Sequence, residues 1–349
     1  LSTEIPAEQA PEQGEVQIES SAPVDQGGFP ATRVLVTLNV LLYVAMGVTS
    51  GGVAFQSPTS EMLIQWGANF GPLSLNGEWW RIVSSMFLHI GFFHIAFNMA
   101  ALWNLGEFAE RLFGTPRFLN LYFLSGLGGS CLSLLGNPGA VSAGASGAIF
   151  GVYGALFAFF FARRKEMGSE AFRAGSKSAT AFILINVVMG LVFGFDNFCH
   201  AGGLITGFIC GTLYLPRPAR GIAVHPVFGT AIIIGAIIAL FQYAEKVPFD
   251  FFGSYHASLA RHLLRADRYT DALAALQTTL KKKPDNTDAL FLSGYAYLKL
   301  NRMPESLAAF ERVVALDPKD AKAVELRDIL KAELQNQSVS KPILHYKSK

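Results

Sequence analysis

The chain has 349 residues, of which 51% are hydrophobic and 15% charged. A water-soluble domain carries about a quarter charged residues, so the deficit excludes an ordinary soluble protein and points to a bilayer. A formal net charge of +2 is too balanced to argue for nucleic acid as a partner. The three cysteines, Cys131, Cys199 and Cys210, lie in or beside apolar runs. They read as small buried hydrophobes, with neither a disulfide framework nor a metal site.

Residues 1–30 are rich in Glu, Gln, Pro and Ser and contain no Lys or Arg. That composition predicts a disordered acidic tail, with its boundary at 32. The first apolar stretch starts after Arg33 and is long enough to span, so no cleavable signal peptide is expected. Seven membrane segments are predicted, near 34–55, 91–112, 117–135, 146–162, 179–194, 200–215 and 227–243. The fourth to sixth are short for a bilayer that needs about 20 residues. They are also rich in Gly, Ala and Ser, which suits helices packed against one another inside a bundle. The connection 56–90 holds Trp66, Trp79 and Trp80. Tryptophan favours the membrane interface, so this connection is expected to lie half-immersed beside the bundle.

Beyond Val247 charged residues become dense, and Pro284 and Pro318 stand 34 residues apart. Aligned on those prolines, Leu259, Ala260, Leu263, Ala272 and Leu276 take the key positions of a tetratricopeptide repeat. Leu290, Gly294, Tyr297, Ser306 and Phe310 take them in a second copy, and a closing helix is expected near 321–335. The fold class is therefore all-α, a polytopic membrane helical bundle with a C-terminal α-helical repeat domain.

Polar groups in membrane-grade segments are expensive to bury and are functional hypotheses by default. Gly144-Ala145-Ser146-Gly147 opens the fourth segment, and Cys199-His200-Ala201-Gly202-Gly203 opens the sixth. At 100° per residue, His200, Gly203, Gly207 and Gly211 share one helical face. Gly147, Gly151 and Gly154 share another, with Ser146 at its edge. If the glycine faces meet, serine and histidine start their helices at similar depth as a nucleophile and its base. No carboxylate is placed within the helix to orient the histidine, so a Ser–His dyad is expected, with Phe150 stacked on the His200 ring. His94 and Asn98, spaced i,i+4 in the second segment, share a face. With the Ser146 N–H at a helix start, they form a candidate set of oxyanion donors.

Blander readings exist for each group. Ser146 alone would read as a helix N-cap, His200 as a satisfied core histidine and Asn98 as interhelical glue. Cys199 and His200 as a catalytic pair are disfavoured, because helix neighbours point about 100° apart. Glu107 and Glu110, beside Arg111, are expected to form interfacial ion pairs. His225, His256 and His262 lie outside the core and receive no role. No His-Glu-x-x-His cluster is present, so neither metal nor cofactor is expected.

Six motifs in order, over residues 78–211, resemble those of the rhomboid family. They are Glu78–Arg81, Phe87-Leu88-His89, His94-x-x-x-Asn98, Gly106-x-x-x-Glu110-x-x-x-Gly114, Gly144-Ala145-Ser146-Gly147 and His200-Ala201-Gly202-Gly203-x-x-x-Gly207. The resemblance implies a six-helix core with Ser146 as nucleophile, His200 as base, and His94 and Asn98 at the oxyanion positions. His89 and Arg81 match positions with structural roles in the loop and adjoining helix end. Gly144 and Glu110 fall in matching motifs, and Phe150 stands where members often have Tyr. It also implies intramembrane cleavage of transmembrane protein substrates. A seventh helix followed by helical repeats resembles one bacterial branch. The alternative is a membrane protein that binds clients through its repeats without cutting them.

The expected division is 1–32 acidic tail, 33–216 catalytic core, 217–247 seventh helix and flanks, 248–337 repeats and 338–349 flexible tail. Expected partners are the lipid bilayer, membrane-protein substrates and proteins at the repeat surface. Basic residues concentrate after the second, fourth and sixth segments, as Arg111, Arg117, Arg163, Arg164, Lys165, Arg173, Lys177, Arg217 and Arg220. Arg33 precedes the first segment on the same side, and the loops on the other side hold only Arg81. The positive-inside rule then predicts a cytoplasmic N-terminus in a bacterial plasma membrane, with Ser146, His200 and the repeats toward the exterior.

Overall fold

The computed structural model describes residues 28–166, 194–214, 226–246 and 255–340, with scattered positions between 173 and 190. Six helices make up the described bundle: α1 (Pro30–Thr49), α2 (Phe92–Phe113), α3 (Thr115–Gly136), α4 (Ser146–Ala162), α5 (Asn197–Tyr214) and α6 (Pro226–Lys246). Three of them, α1, α3 and α6, are long and apolar enough to cross a membrane. A fourth span results if Arg81–Phe87 and α2, bent by 92°, count as one broken crossing. The helix α4 is apolar but only 17 residues long. The predicted fifth segment lies largely outside the described residues; positions 183–188 within it are helical.

The first span ends at Thr49, earlier than the apolar run suggests. Gly51 and Gly52 take φ values of +63° and +95°, the left-handed region that glycine tolerates and that stops a helix. A single turn, Val53–Gln56, follows. The long connection then winds through short helices and contributes β1 (Asn69–Phe70), which pairs antiparallel with β2 (Val141–Ser142), just ahead of the serine motif. Trp79 and Trp80 on this connection are exposed.

Burial separates two kinds of helix. On α1 and α6, Val34, Leu41, Val48, Val227, Phe228 and Ile232 are exposed, as a lipid-facing surface should be. On α4 and α5 the small residues face inward. A Cβ on Gly203 would stand 1.9 Å from the Gly147 carbonyl oxygen, and one on Gly207 the same distance from that of Gly151. The two glycine faces read from the sequence are therefore in direct backbone contact. Only residues without side chains let helices approach so closely.

The repeats form five helices, α7 (Tyr255–Arg265), α8 (Tyr269–Lys282), α9 (Thr287–Lys299), α10 (Met303–Leu316) and α11 (Ala321–Ser340). Ala260, Ala272, Leu276 and Phe310 are fully buried between them, and a Cβ on Gly294 would press on the Phe310 ring. The first repeat helix also packs on the bundle, where Ser258 Oγ donates to the Gly139 carbonyl at 2.9 Å.

Candidate active site

Ser146 is the first residue of α4, and its approach is shaped by Gly144 at φ +143°. A Cβ on Gly144 would lie 2.8 Å from the His94 ring, so glycine is needed both for the backbone and for the close approach of that ring. The Gly144 N–H donates to the Ser85 carbonyl at 2.9 Å, tying the strand ahead of the serine to the broken helix before α2. His200 lies in the first turn of α5 and is buried. Its Nε2 is 2.9 Å from Ser146 Oγ. The Phe150 ring, one turn along α4, stacks on the imidazole at 4.2 Å with a 5° interplanar angle. Packing, rather than a hydrogen-bonded carboxylate, fixes the histidine.

His94 faces the same spot from α2. The Ile90 N–H donates to its Nδ1 at 3.1 Å. In the neutral ring only one nitrogen carries a proton, so this bond leaves Nε2 as the donor, on the side where Gly144 lies. Phe195 stacks on His94 with 5.7 Å between centroids, and His89 is buried 5.2 Å away. The Asn98 side-chain nitrogen donates to the His94 carbonyl at 2.8 Å, which leaves its second amide proton free of that bond. The N–H of Ser146 sits in a first helical turn, where no intrahelical acceptor is available.

Ser146, His200, His94, Asn98, Gly144 and Phe150 all line one cavity of about 620 Å³. Its remaining wall is mainly apolar, from Phe93, Phe97, Ile149 and Ile185. The cavity brings together a serine hydroxyl, an imidazole within hydrogen-bond distance of it, and the side chains of His94 and Asn98, the kinds of group that acyl-transfer chemistry requires. Among the described residues no cluster of His, Cys, Asp and Glu is suited to a metal ion.

The supporting residues lie farther out. Arg81 is buried and donates to the Ile64 and Ala68 carbonyls and to Glu78, pinning the connection that carries β1. Glu107 forms the expected ion pair with Arg111 at 3.7 Å. Glu110 departs from expectation. Its carboxylate is buried and accepts from the Ala31 and Thr32 N–H groups, and from the Thr32 and Thr115 hydroxyls. It caps the start of α1, where the first N–H groups of a helix have no partner of their own.

Three neighbours of the site escaped the sequence reading. Phe195 gives no periodic signal. Ser133 looks like any small residue of a packed helix. Asp196 immediately precedes α5, and its Oδ1 accepts from the Cys199 N–H at 3.0 Å. An Asp three residues ahead of that N–H is a recognisable N-cap, hidden here because the sequence places the segment's start at 200 rather than at Asn197.

Comparison with known proteins points to the same family as the motifs. The rhomboid domain matches residues 76–217, and the tetratricopeptide repeat matches 258–321. Rhomboid protease GluP of Bacillus subtilis (strain 168) is 31% identical over 312 residues, covering 88% of this chain and 58% of that protein. Rhomboid protease AarA of Providencia stuartii is 31% identical over 235 residues, covering 60% of this chain and 82% of that protein. RHOMBOID-like protein 1 of Arabidopsis thaliana is 38% identical over 144 residues, 41% of this chain and 36% of that protein. The chain thus spans a little over half the length of GluP and about a third of the plant relative. With the match to AarA extending over four-fifths of that protein, and Ser146, His200, His94 and Asn98 lining a single cavity, this chain belongs to the rhomboid family and carries a C-terminal tetratricopeptide-like repeat region.

Proposed function

We propose that the protein is an intramembrane serine endopeptidase that hydrolyses peptide bonds in or near transmembrane segments of membrane proteins. The observation that carries the reading is the 2.9 Å contact between Ser146 Oγ and His200 Nε2, inside a cavity of the helical bundle. Ser146 Oγ attacks the scissile carbonyl carbon as its proton passes to His200 Nε2. The carbonyl oxygen gains negative charge, and the His94 Nε2–H, the second Asn98 amide proton and the Ser146 N–H stabilise it. The C–N bond then breaks, and His200 returns the proton to the leaving amine. Water, deprotonated by His200, attacks the acyl-enzyme and releases Ser146.

The same reading divides the chain as 1–32 tail, 33–216 six-helix catalytic core, 217–247 seventh transmembrane helix, 248–337 repeat domain and 338–349 tail. The protein sits in a bacterial plasma membrane, N-terminus inside and repeats outside. In support, β1, β2 and the contact between Ser258 and Gly139 lie at the end of the bundle where Ser146 starts its helix. The repeats there are suited to binding protein partners or substrate ectodomains. A fluorophosphonate should label the purified protein at Ser146. Labelling unchanged in Ser146→Ala would refute the nucleophile. A phosphatase fused after Lys349 should be active and a cytoplasmic-type fluorescent protein dark; the converse would refute the topology.

A further inference from the structure

Proton transfer from Ser146 leaves an imidazolium at His200, in the first turn of α5. Unpaired N–H groups and aligned peptide dipoles give that end of a helix a positive potential, equivalent to roughly half an elementary charge. The potential opposes a cation there. Nothing bonded to the ring offsets it, because Nε2 faces Ser146 and the buried Nδ1 has no hydrogen-bond partner. Asp196 is the one carboxylate among the described residues lining the cavity, and no Lys or Arg shares that lining. Its backbone carbonyl accepts the His200 N–H at 3.1 Å, one turn below the base. Its side chain is held from two elements. Oδ1 accepts from the Cys199 N–H, and Oδ2 accepts from Ser133 on α3 at 2.5 Å.

We propose that Asp196 is a positioning residue for the base, its fixed negative charge cancelling the helix-end potential at His200 and favouring the imidazolium of the acylation step. The proposal rests on the Ser146–His200 reading. It differs from a triad, since the carboxylate acts through space and through the helix end rather than through a bond to the ring. It also differs from a purely structural helix cap, since Asn and Ser satisfy the helix N–H groups about as well as Asp.

That difference sets the test. Asp196→Asn keeps an acceptor for the Cys199 N–H and a polar group for Ser133 but removes the charge; Asp196→Ser is a second neutral cap. Both variants and the wild type are followed by fluorophosphonate labelling and by cleavage of a transmembrane reporter across pH, with thermal unfolding alongside. A helix-end charge effect is worth about tenfold in rate. We expect both neutral caps to lose about that factor in kcat with little change in KM. The acid limb of the rate profile should move to lower pH, because without the carboxylate the imidazolium forms less readily. The other titratable groups near the base and its helix end, His94 on α2 and Cys199 on its own helix, with Cys131 on α3 beside Cys199, are the same in all variants. Wild-type rate and pH profile in either folded neutral-cap variant would overturn the proposal, as that is what a cap alone predicts. Labelling that persists in Ser146→Ala would instead sink the dyad reading, a distinguishable failure.

Discussion

Replacing Gly203 by alanine tests the geometry of the site from a residue outside the cavity lining. In a helix interior this change normally stabilises, by roughly 0.5–1 kcal/mol, because glycine has more backbone freedom to lose. Here the new Cβ would stand 1.9 Å from the Gly147 carbonyl oxygen, and ordinary contact begins near 3.4 Å. Relief requires α4 and α5 to part by about 1.5 Å at that level. Gly147 adjoins Ser146 and Gly203 lies one turn beyond His200, so much of that displacement reaches the dyad. A 2.9 Å hydrogen bond stretched by about 1 Å or more is no longer one. Misplacement of that size costs about 100-fold in rate, and overpacking a close-packed core costs about 1–3 kcal/mol of stability. Gly203→Ala should therefore label with fluorophosphonate, and cleave a transmembrane reporter, at least about 100-fold more slowly. Gly235→Ala on α6, where nothing lies within 4 Å of the new Cβ, should match wild type in both assays and be more stable by roughly 0.5–1 kcal/mol. Wild-type labelling and stability in Gly203→Ala would refute the claim that backbone contact sets the register of serine and histidine.

Other outcomes follow from the same geometry. Ser146→Ala and His200→Ala should each abolish cleavage, and the double variant should be no worse than either, since residues acting as one unit are non-additive; multiplicative losses would separate them. His94→Ala and Asn98→Ala should lower kcat and kcat/KM together, each by about 2.7–4 kcal/mol of transition-state stabilisation. An unchanged kcat with raised KM would assign them to substrate binding. Phe150→Ala should destabilise the bundle by about 3–5 kcal/mol and release the His200 ring, with cleavage lost at temperatures where the variant is still folded. Retained kcat there would show that the stack does not orient the base. Substrates should need segments able to unwind, so rebuilding one as an uninterrupted Leu/Ala helix should slow its cleavage relative to the Gly- or Pro-containing form.

The helix spacing of glycines on 147–154 and 203–211 was enough to read which two helices meet, because residues lacking side chains mark a surface where backbones touch. The i,i+4 spacing of His94 and Asn98 likewise predicted a shared face, and both line the cavity. Tetratricopeptide positions such as Leu276 and Phe310 were legible as a core because the repeat period supplies its own alignment. Contacts between elements distant in the chain were not legible. Glu110 sits beside Arg111 in the sequence, yet it reaches across to the start of α1, some 78 residues away. The tautomer of His94 depends on one backbone N–H at Ile90, and no pattern announces that bond. Asp196 was missed because a segment boundary drawn at the first apolar run leaves out the residue that caps it. Membrane crossings also resist counting by apolarity alone, since α4 and α5 are short or interrupted by polar and small residues inside the bundle.

Cutting of a membrane-spanning chain by Ser146 and His200 is tested most directly by incubating the purified protein in lipid vesicles with a single-span reporter, beside Ser146→Ala at equal concentration. Mass spectrometry of the products should find one dominant cut in or near the span with the wild type and none with the variant. Cleavage by Ser146→Ala at a comparable rate, or none by a wild-type protein that labels at Ser146, would contradict it.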